Sequence, residues 1–354
     1  MNAEQRKGQG LLGVGFLSVP SSSAVSSGSE ESGRESVAAF CSADDAARAR
    51  RLRVRRGVLA AVTHVLLAVL VALILLPGVK MVPTPTPFLV AVALIECCYI
   101  ASVVRARGKS EAPSWIVLIV WVLLIAWELL TTQLGRLHPV LVPAPEAVFN
   151  VFATQYDVLL VNVASSVELL LVGAVTSIVL GVLLGALVGW VGPLRDVCAP
   201  IARVLAPIPS VVFAPYLVAL MPTFRSASAM VVFLGLFWPT FLNIIIRVNG
   251  IDRRIIESAR MLELSSFDMV RHVILPYIAP GVINGLNGQL TASIMMLTFA
   301  EMLGAKSGMG YYIINYTNFA NYVNVIAGII VVGVVVTLLN RGINSAKRRL
   351  VKWR

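Results

Sequence analysis

The sequence predicts an all-α, polytopic membrane protein with about eight transmembrane helices. Three observations carry this expectation. First, hydrophobic residues make up 58% of the 354 residues and charged ones only 13%, with a mean hydropathy of +0.84. Ordinary soluble domains are about a quarter charged and less than half apolar. Second, the apolar residues gather into runs close to the ~20 residues a helix needs to cross hydrocarbon. Third, the connecting segments alternate between rich and poor in Lys and Arg, as orientation in a bilayer requires. The composition excludes a soluble globular domain and a disordered chain. Lipid offers the backbone no hydrogen-bond partner, so each run is expected to be helical.

Residues 1–56 read as a disordered, basic cytoplasmic tail, or as the product of a start codon assigned too early. A Ser/Gly/Glu tract over 18–36 cannot bury enough apolar surface to order itself. Arg6 and Lys7 before a short apolar run faintly resemble a signal peptide, without a clear cleavage site. The arginines from Arg48 to Arg56 read as an orientation anchor with some attraction to anionic membrane lipid, and not as a nucleic-acid site.

The spans are expected at 57–77, 86–104, 115–134, 164–190, 197–220, 228–248, 277–303 and 322–343. Basic residues precede the first span, lie between the second and third, fourth and fifth, and sixth and seventh, and follow the eighth. The opposite segments hold only Lys80, Arg136, Arg225 and Lys306. Both termini are therefore expected in the cytoplasm. In the outer segment 135–163, Pro145 suits the first turn of a short interfacial helix, with Glu146 near its positive end and Val148, Phe149 and Phe152 on one side. Pro200, Pro207, Pro209 and Pro215 should break or kink the fifth span, which is expected to face protein. No internal repeat pairs one half of the chain with the other. A pathway between two related halves would take its second half from another subunit, most simply a second copy.

Several polar residues fall inside spans. Glu96, Glu128, Glu168 and Glu301 would each cost roughly 3 kcal/mol or more if ionised at mid-membrane. Glu128 and Glu168 fall near outer span ends and read as solvated. Glu96 lies midway along its span, and reads as neutral, paired within the protein or functional. Asn284, Asn287, Gln289, Thr291 and Ser293 run along the seventh span, where interhelical hydrogen bonding and pathway lining are equally open. His64 reads as a packing residue. Cys41, Cys97, Cys98 and Cys198 have no metal-ligand spacing, and imply neither a disulfide nor a metal site.

The segment 251–276 is long for a loop between membrane helices. Asp252 can cap a helix beginning at Arg253, on which Ile255, Ile256, Ala259 and Leu262 recur at helical spacing. Ser265 with Asp268 gives a capping-box pattern, and Pro276 opens the next span. By pattern alone, two interfacial helices packed on the membrane are the simpler reading.

The stretch Glu257-Ser258-Ala259-Arg260-Met261-Leu262-Glu263, with Leu275-Pro276 at its end, resembles the EAA loop of ABC importer permeases. Ser258 stands for that family's Ala and Glu263 for its Gly, which would permit a left-handed turn. The resemblance extends over about 115–354 to permeases of the nitrate/sulfonate/taurine type. It includes Leu141-Val142-Pro143-Ala144-Pro145, Pro207-Ile208-Pro209, Trp238-Pro239, and Ala300-Glu301 with Gly308-Met309-Gly310-Tyr311. Two departures bear on cargo: Glu168 where these permeases usually carry a basic residue, and Met221-Pro222-Thr223 for a usual Trp-Phe-Gly.

The resemblance implies a six-helix permease core over 111–354, with two added spans over 57–110, in a bacterial cytoplasmic membrane. It implies no enzyme and no cofactor in this chain. The sequence has no GxxxxGK[ST] phosphate loop, so ATP would be bound by separate cytoplasmic ATPase subunits. A second permease copy would complete a homodimer, and an extracellular or periplasmic binding protein would deliver cargo. Glu257 is expected as polar anchor for the ATPase, Ala259 as close-packed contact and Leu262 as apolar contact. Glu301 is expected to be structural or gating, and is grouped with the polar residues of the seventh span as a candidate pathway position. A heterocyclic vitamin precursor is an alternative cargo, because Glu168 removes a positive charge. A secondary transporter coupled to protons through Glu96 or Glu301, and a non-transporting assembly protein, are the rival classes.

Overall fold

The computed structural model describes residues 51, 54–76, 84–106 and 110–350, with the side chains of 287, 349 and 350 excepted. Most of the expected N-terminal tail lies outside the described residues. The chain divides into two units, Met1–Val62 and Thr63–Arg354. Among the described residues all regular structure is helical.

Among the described residues six helices are long and apolar enough to cross a membrane. They are α1 (Val54–Leu75), α2 (Thr86–Ala106), α3 (Ala112–Glu128, continued by a wider turn to Gln133), α5 (Tyr156–Trp190), α8 (Phe224–Asn249) and α13 (Tyr322–Leu350). A bent pair makes a seventh: α6 (Gly192–Leu205) meets the stretch Ser210–Leu220, which includes α7 (Ala214–Leu220), at 83°. Pro207 and Pro209 sit at the break, as expected, because proline removes a donor and clashes with the preceding turn. α11 (Leu275–Met302) has the length, at 28 residues, but is too polar to stand among the six. By length and composition six or seven of the described helices qualify, and α11 is the element that would bring the number to the eight expected.

α4 (Pro145–Thr154) is the short helix predicted at Pro145. Its apolar side packs against protein. Val148 is buried in a cluster with Tyr312 and Ala327, and the Phe149 ring stacks on Phe88 of α2 at 4.9 Å. That wedge position has a consequence for Glu128, expected to be solvated: α4 covers it, and it lies 0% exposed beside Glu146 at 2%.

The centre of the second unit is the α5–α8 pair. Gly173, Ser177, Gly181, Gly185 and Gly189 recur every four residues on α5 and form its buried face. This small-residue stripe lets two backbones approach closely, which is how helices associate where lipid removes the hydrophobic driving force. A Cβ at Gly173 or Gly185 would lie 2.8 Å from the Cβ of Val232 or Ile244 on α8, closer than carbon atoms pack. α11 packs on the same pair through Ile294 and Leu297.

Candidate functional site

Beyond α8 the chain forms two capped helical pieces, as the sequence predicts. Asp252 accepts the N–H of Arg254 at 3.0 Å and starts α9 (Arg253–Arg260). Ser265 accepts the N–H of Asp268 at 3.1 Å, and its hydroxyl donates to Asp268 Oδ2 at 2.6 Å. These bonds start α10 (Ser266–Asp268), which widens over Met269–Ile274 and runs into α11 at Leu275.

Between the two pieces, the Glu263 N–H donates to the Arg260 carbonyl at 2.9 Å, and its φ is +53°. This is the left-handed conformation that a glycine adopts freely and an L side chain at a cost of roughly 1–2 kcal/mol. Replacement of Gly by Glu therefore changes the residue and leaves the turn in place.

The loop has a root and a tip. Ala259 is buried with Val248, Met269, Ile274 and Ile278, and Leu275 packs against the same cluster. Ala259 is thus close-packed within this chain. Glu257, Ser258, Glu263 and Pro276 are exposed. So are three large apolar side chains: Met261 at 85%, Leu262 at 72% and Phe267 at 71%.

At the far end of α11, Glu301 is 1% exposed. Its carboxylate accepts from Ser166 Oγ at 2.7 and 2.9 Å and from the Gly310 N–H at 2.8 Å. Beside it, Asn162 Oδ1 accepts the Gly308 N–H at 2.9 Å, and Ser166 Oγ accepts the Met309 N–H at 2.8 Å. Three successive amides at the start of α12 (Met309–Asn318) are thereby held by α5 and α11. Gly308 has φ +116°, and a Cβ there would overlap the Glu301 carboxylate. A Cβ on Gly310 would overlap the Thr298 carbonyl. The Glu301 and Gly-Met-Gly elements are thus one latch. Glu301, grouped above with candidate pathway residues, has its oxygens engaged inside the protein and does not face an open path. Asn162 and Ser166 complete the latch, and their i, i+4 spacing inside an apolar run is the sequence signal of their part in it.

Two of the polar side chains of α11, Gln289 and Thr291, make contacts between helices. Gln289 Nε2 donates to Thr240 Oγ1 of α8 at 3.1 Å, and Asn340 Nδ2 of α13 donates to Thr291 Oγ1 at 3.2 Å. Ser293 is 1% exposed and donates to the Gln289 carbonyl at 2.7 Å. Asn284 is exposed, and its carbonyl accepts from Lys347 Nζ at 3.0 Å. The side chain of Asn287 lies outside the described ones.

Two contacts between titratable side chains involve groups that the sequence leaves open. His64 Nε2 lies 3.3 Å from Glu96 Oε1, an ion pair only where the imidazole is protonated. Glu168 of α5 accepts from Arg225 Nη2 of α8 at 2.7 Å.

The arrangement defines the class: a polytopic membrane subunit whose core carries a rooted, apolar-tipped loop. The comparisons give the family. The family model described as "Binding-protein-dependent transport system inner membrane component" matches residues 177–353. This chain belongs to that family of ABC transporter permeases, which are transport components and not enzymes. It is similar to the nitrate import permease protein of Leptolyngbya laminosa, 30% identical over 54% of this chain and 68% of that one. It is also similar to the putative aliphatic sulfonates transport permease protein of Bacillus subtilis strain 168, 29% identical over 49% and 63%. The taurine transport system permease protein of Escherichia coli K12 is 24% identical over 62% of this chain and 82% of its own.

Proposed function

We propose that this chain is the membrane-spanning half of an ATP-driven importer that moves a small polar solute of the nitrate, sulfonate and taurine class. The loop between α8 and α11 carries the reading. Its tip exposes Met261, Leu262 and Phe267, large apolar side chains whose exposure suits a partner surface. Its root, through Ala259, Met269 and Ile274, belongs to the same packed cluster as Ala186 of α5 and Ile244 of α8. Close-packed interiors transmit displacement, so a partner gripping the tip would move the spans.

In this reading separate ATPase subunits bind ATP and seat the tip, with Glu257 as polar anchor and Leu262 as apolar contact. A second copy completes the homodimer, and a binding protein delivers cargo from the far side. The loop and both termini face the cytoplasm of a bacterial cell. ATP closure of the ATPases then drives alternating access. The cargo class comes from the names of the relatives. Arg225 beside Glu168 leaves that position without net charge, which weakens the case for a vitamin precursor built on Glu168 alone.

Reconstitution with the ATPase and binding protein tests the reading. Glu257→Arg, and the double change Leu262→Asp with Phe267→Asp, should abolish ATP-dependent uptake while the chain remains in the membrane. Uptake that needs no ATPase and collapses when the proton gradient is discharged would overturn it in favour of a carrier using Glu96 and His64.

A further inference from the structure

An open recess of about 500 Å³ lies between α5 and α8 at the end of the spans opposite the α9–α10 loop. Its walls are mostly apolar, with Met221, Gly173, Ala229 and Phe233 among them, and Glu168 and Arg225 also line it. These are the two positions on the recess that bring full charges, and they lie 2.7 Å apart.

From this we infer that Glu168 and Arg225 form a charge-selective cargo site for a small zwitterion, one that carries an ammonium and an anionic group a few bonds apart. The inference rests on the importer reading and narrows its cargo class.

The pair is poorly explained as a structural clamp. Its side chains are 64% and 52% exposed, and ion pairs that exposed contribute little to stability. The α5–α8 contact is already held by the glycine stripe. A weak, accessible pair is easily opened by a ligand that supplies both opposite charges. The guanidinium then takes the anionic end through its planar fork, and the carboxylate takes the ammonium. The apolar walls suit the short carbon linker, and the volume lies in the range of small-molecule sites. A plain anion would meet Glu168 as a like charge, and a plain amine would meet Arg225. Complementarity of this kind discriminates by penalising the wrong ligand as well as by attracting the right one.

The test is equilibrium binding to the full-length chain in lipid nanodiscs, with taurine, ethanesulfonate and ethylamine as probes. Taurine carries both charges, and each of the others keeps one. Taurine should bind at least tenfold more tightly than either. Glu168→Gln should erase the preference of taurine over ethanesulfonate, and Arg225→Gln should remove binding of both sulfonates. The exchanged pair, Glu168→Arg with Arg225→Glu, keeps both charges in the recess and should retain taurine binding, which separates a lost site from a lost fold. Equal binding of taurine and ethanesulfonate, an unchanged preference in Glu168→Gln, or no saturable taurine binding would each overturn the inference. Association with an ATPase subunit, scored on the same preparations, reports the importer reading separately.

Discussion

Replacing Glu263 by Gly should stabilise the loop on which the functional account depends. Glu263 sits at φ +53° and closes the turn between α9 and α10 through its N–H bond to Arg260. A side chain in that conformation costs roughly 1–2 kcal/mol. Glycine removes the cost but brings back about 0.5–1 kcal/mol of backbone entropy. The net gain is therefore roughly 0.5–1 kcal/mol, about a two- to fivefold reduction in local opening. Hydrogen exchange of the segment 257–266, read by mass spectrometry in the assembled membrane protein, measures this directly. Glu263→Ala is the control, because alanine carries the same conformational cost while removing the charge. Slower exchange in Gly and not in Ala is the expected result. Equal protection in both variants, or faster exchange in Gly, would refute the assignment of strain to that turn.

Other perturbations follow from the same geometry. Glu301→Gln keeps the shape of the latch but turns one acceptor oxygen into a donor group, and should cost roughly 1–3 kcal/mol in thermal unfolding of the purified protein. Gly308→Ala should be more severe, since it adds a clash with Glu301 to an unfavourable φ, and should reduce the yield of folded protein. Gly185→Leu should separate α5 from α8 and abolish accumulation in the membrane, whereas the lipid- or partner-exposed Val179→Leu should be neutral by the same measure.

Much of this architecture is legible in the sequence, and the reasons differ by element. The spans α1, α2, α3, α5, α8 and α13 follow from hydropathy, because a bilayer imposes one requirement on each helix separately. The break at Pro207 and Pro209 and the caps at Asp252 and Ser265 are local chemistry, and the structure has them where the residues place them. What escapes sequence reasoning is pairing across long separations. Glu168 and Arg225 stand 57 residues apart, and Ser166 and Glu301 stand 135 apart. Glu128 reads as solvated because nothing local reveals that α4 folds over it. The polarity of α11 is ambiguous in the sequence for a related reason. Gln289 and Thr291 look equally like pathway residues until Thr240 and Asn340 are found opposite them. Glu263 is the reverse case, where a residue that argues against a turn is accommodated in it.

The most direct test of the central claim, that the α8–α11 loop is the seat of an ATPase, is mild detergent extraction of the tagged chain from its native membrane with mass spectrometry of what accompanies it. The account predicts a stoichiometric ATPase subunit, retained by Glu263→Gly and lost when Leu262 and Phe267 are both changed to Asp. A chain that comes out without an ATPase and still carries solute after reconstitution without ATP would contradict it.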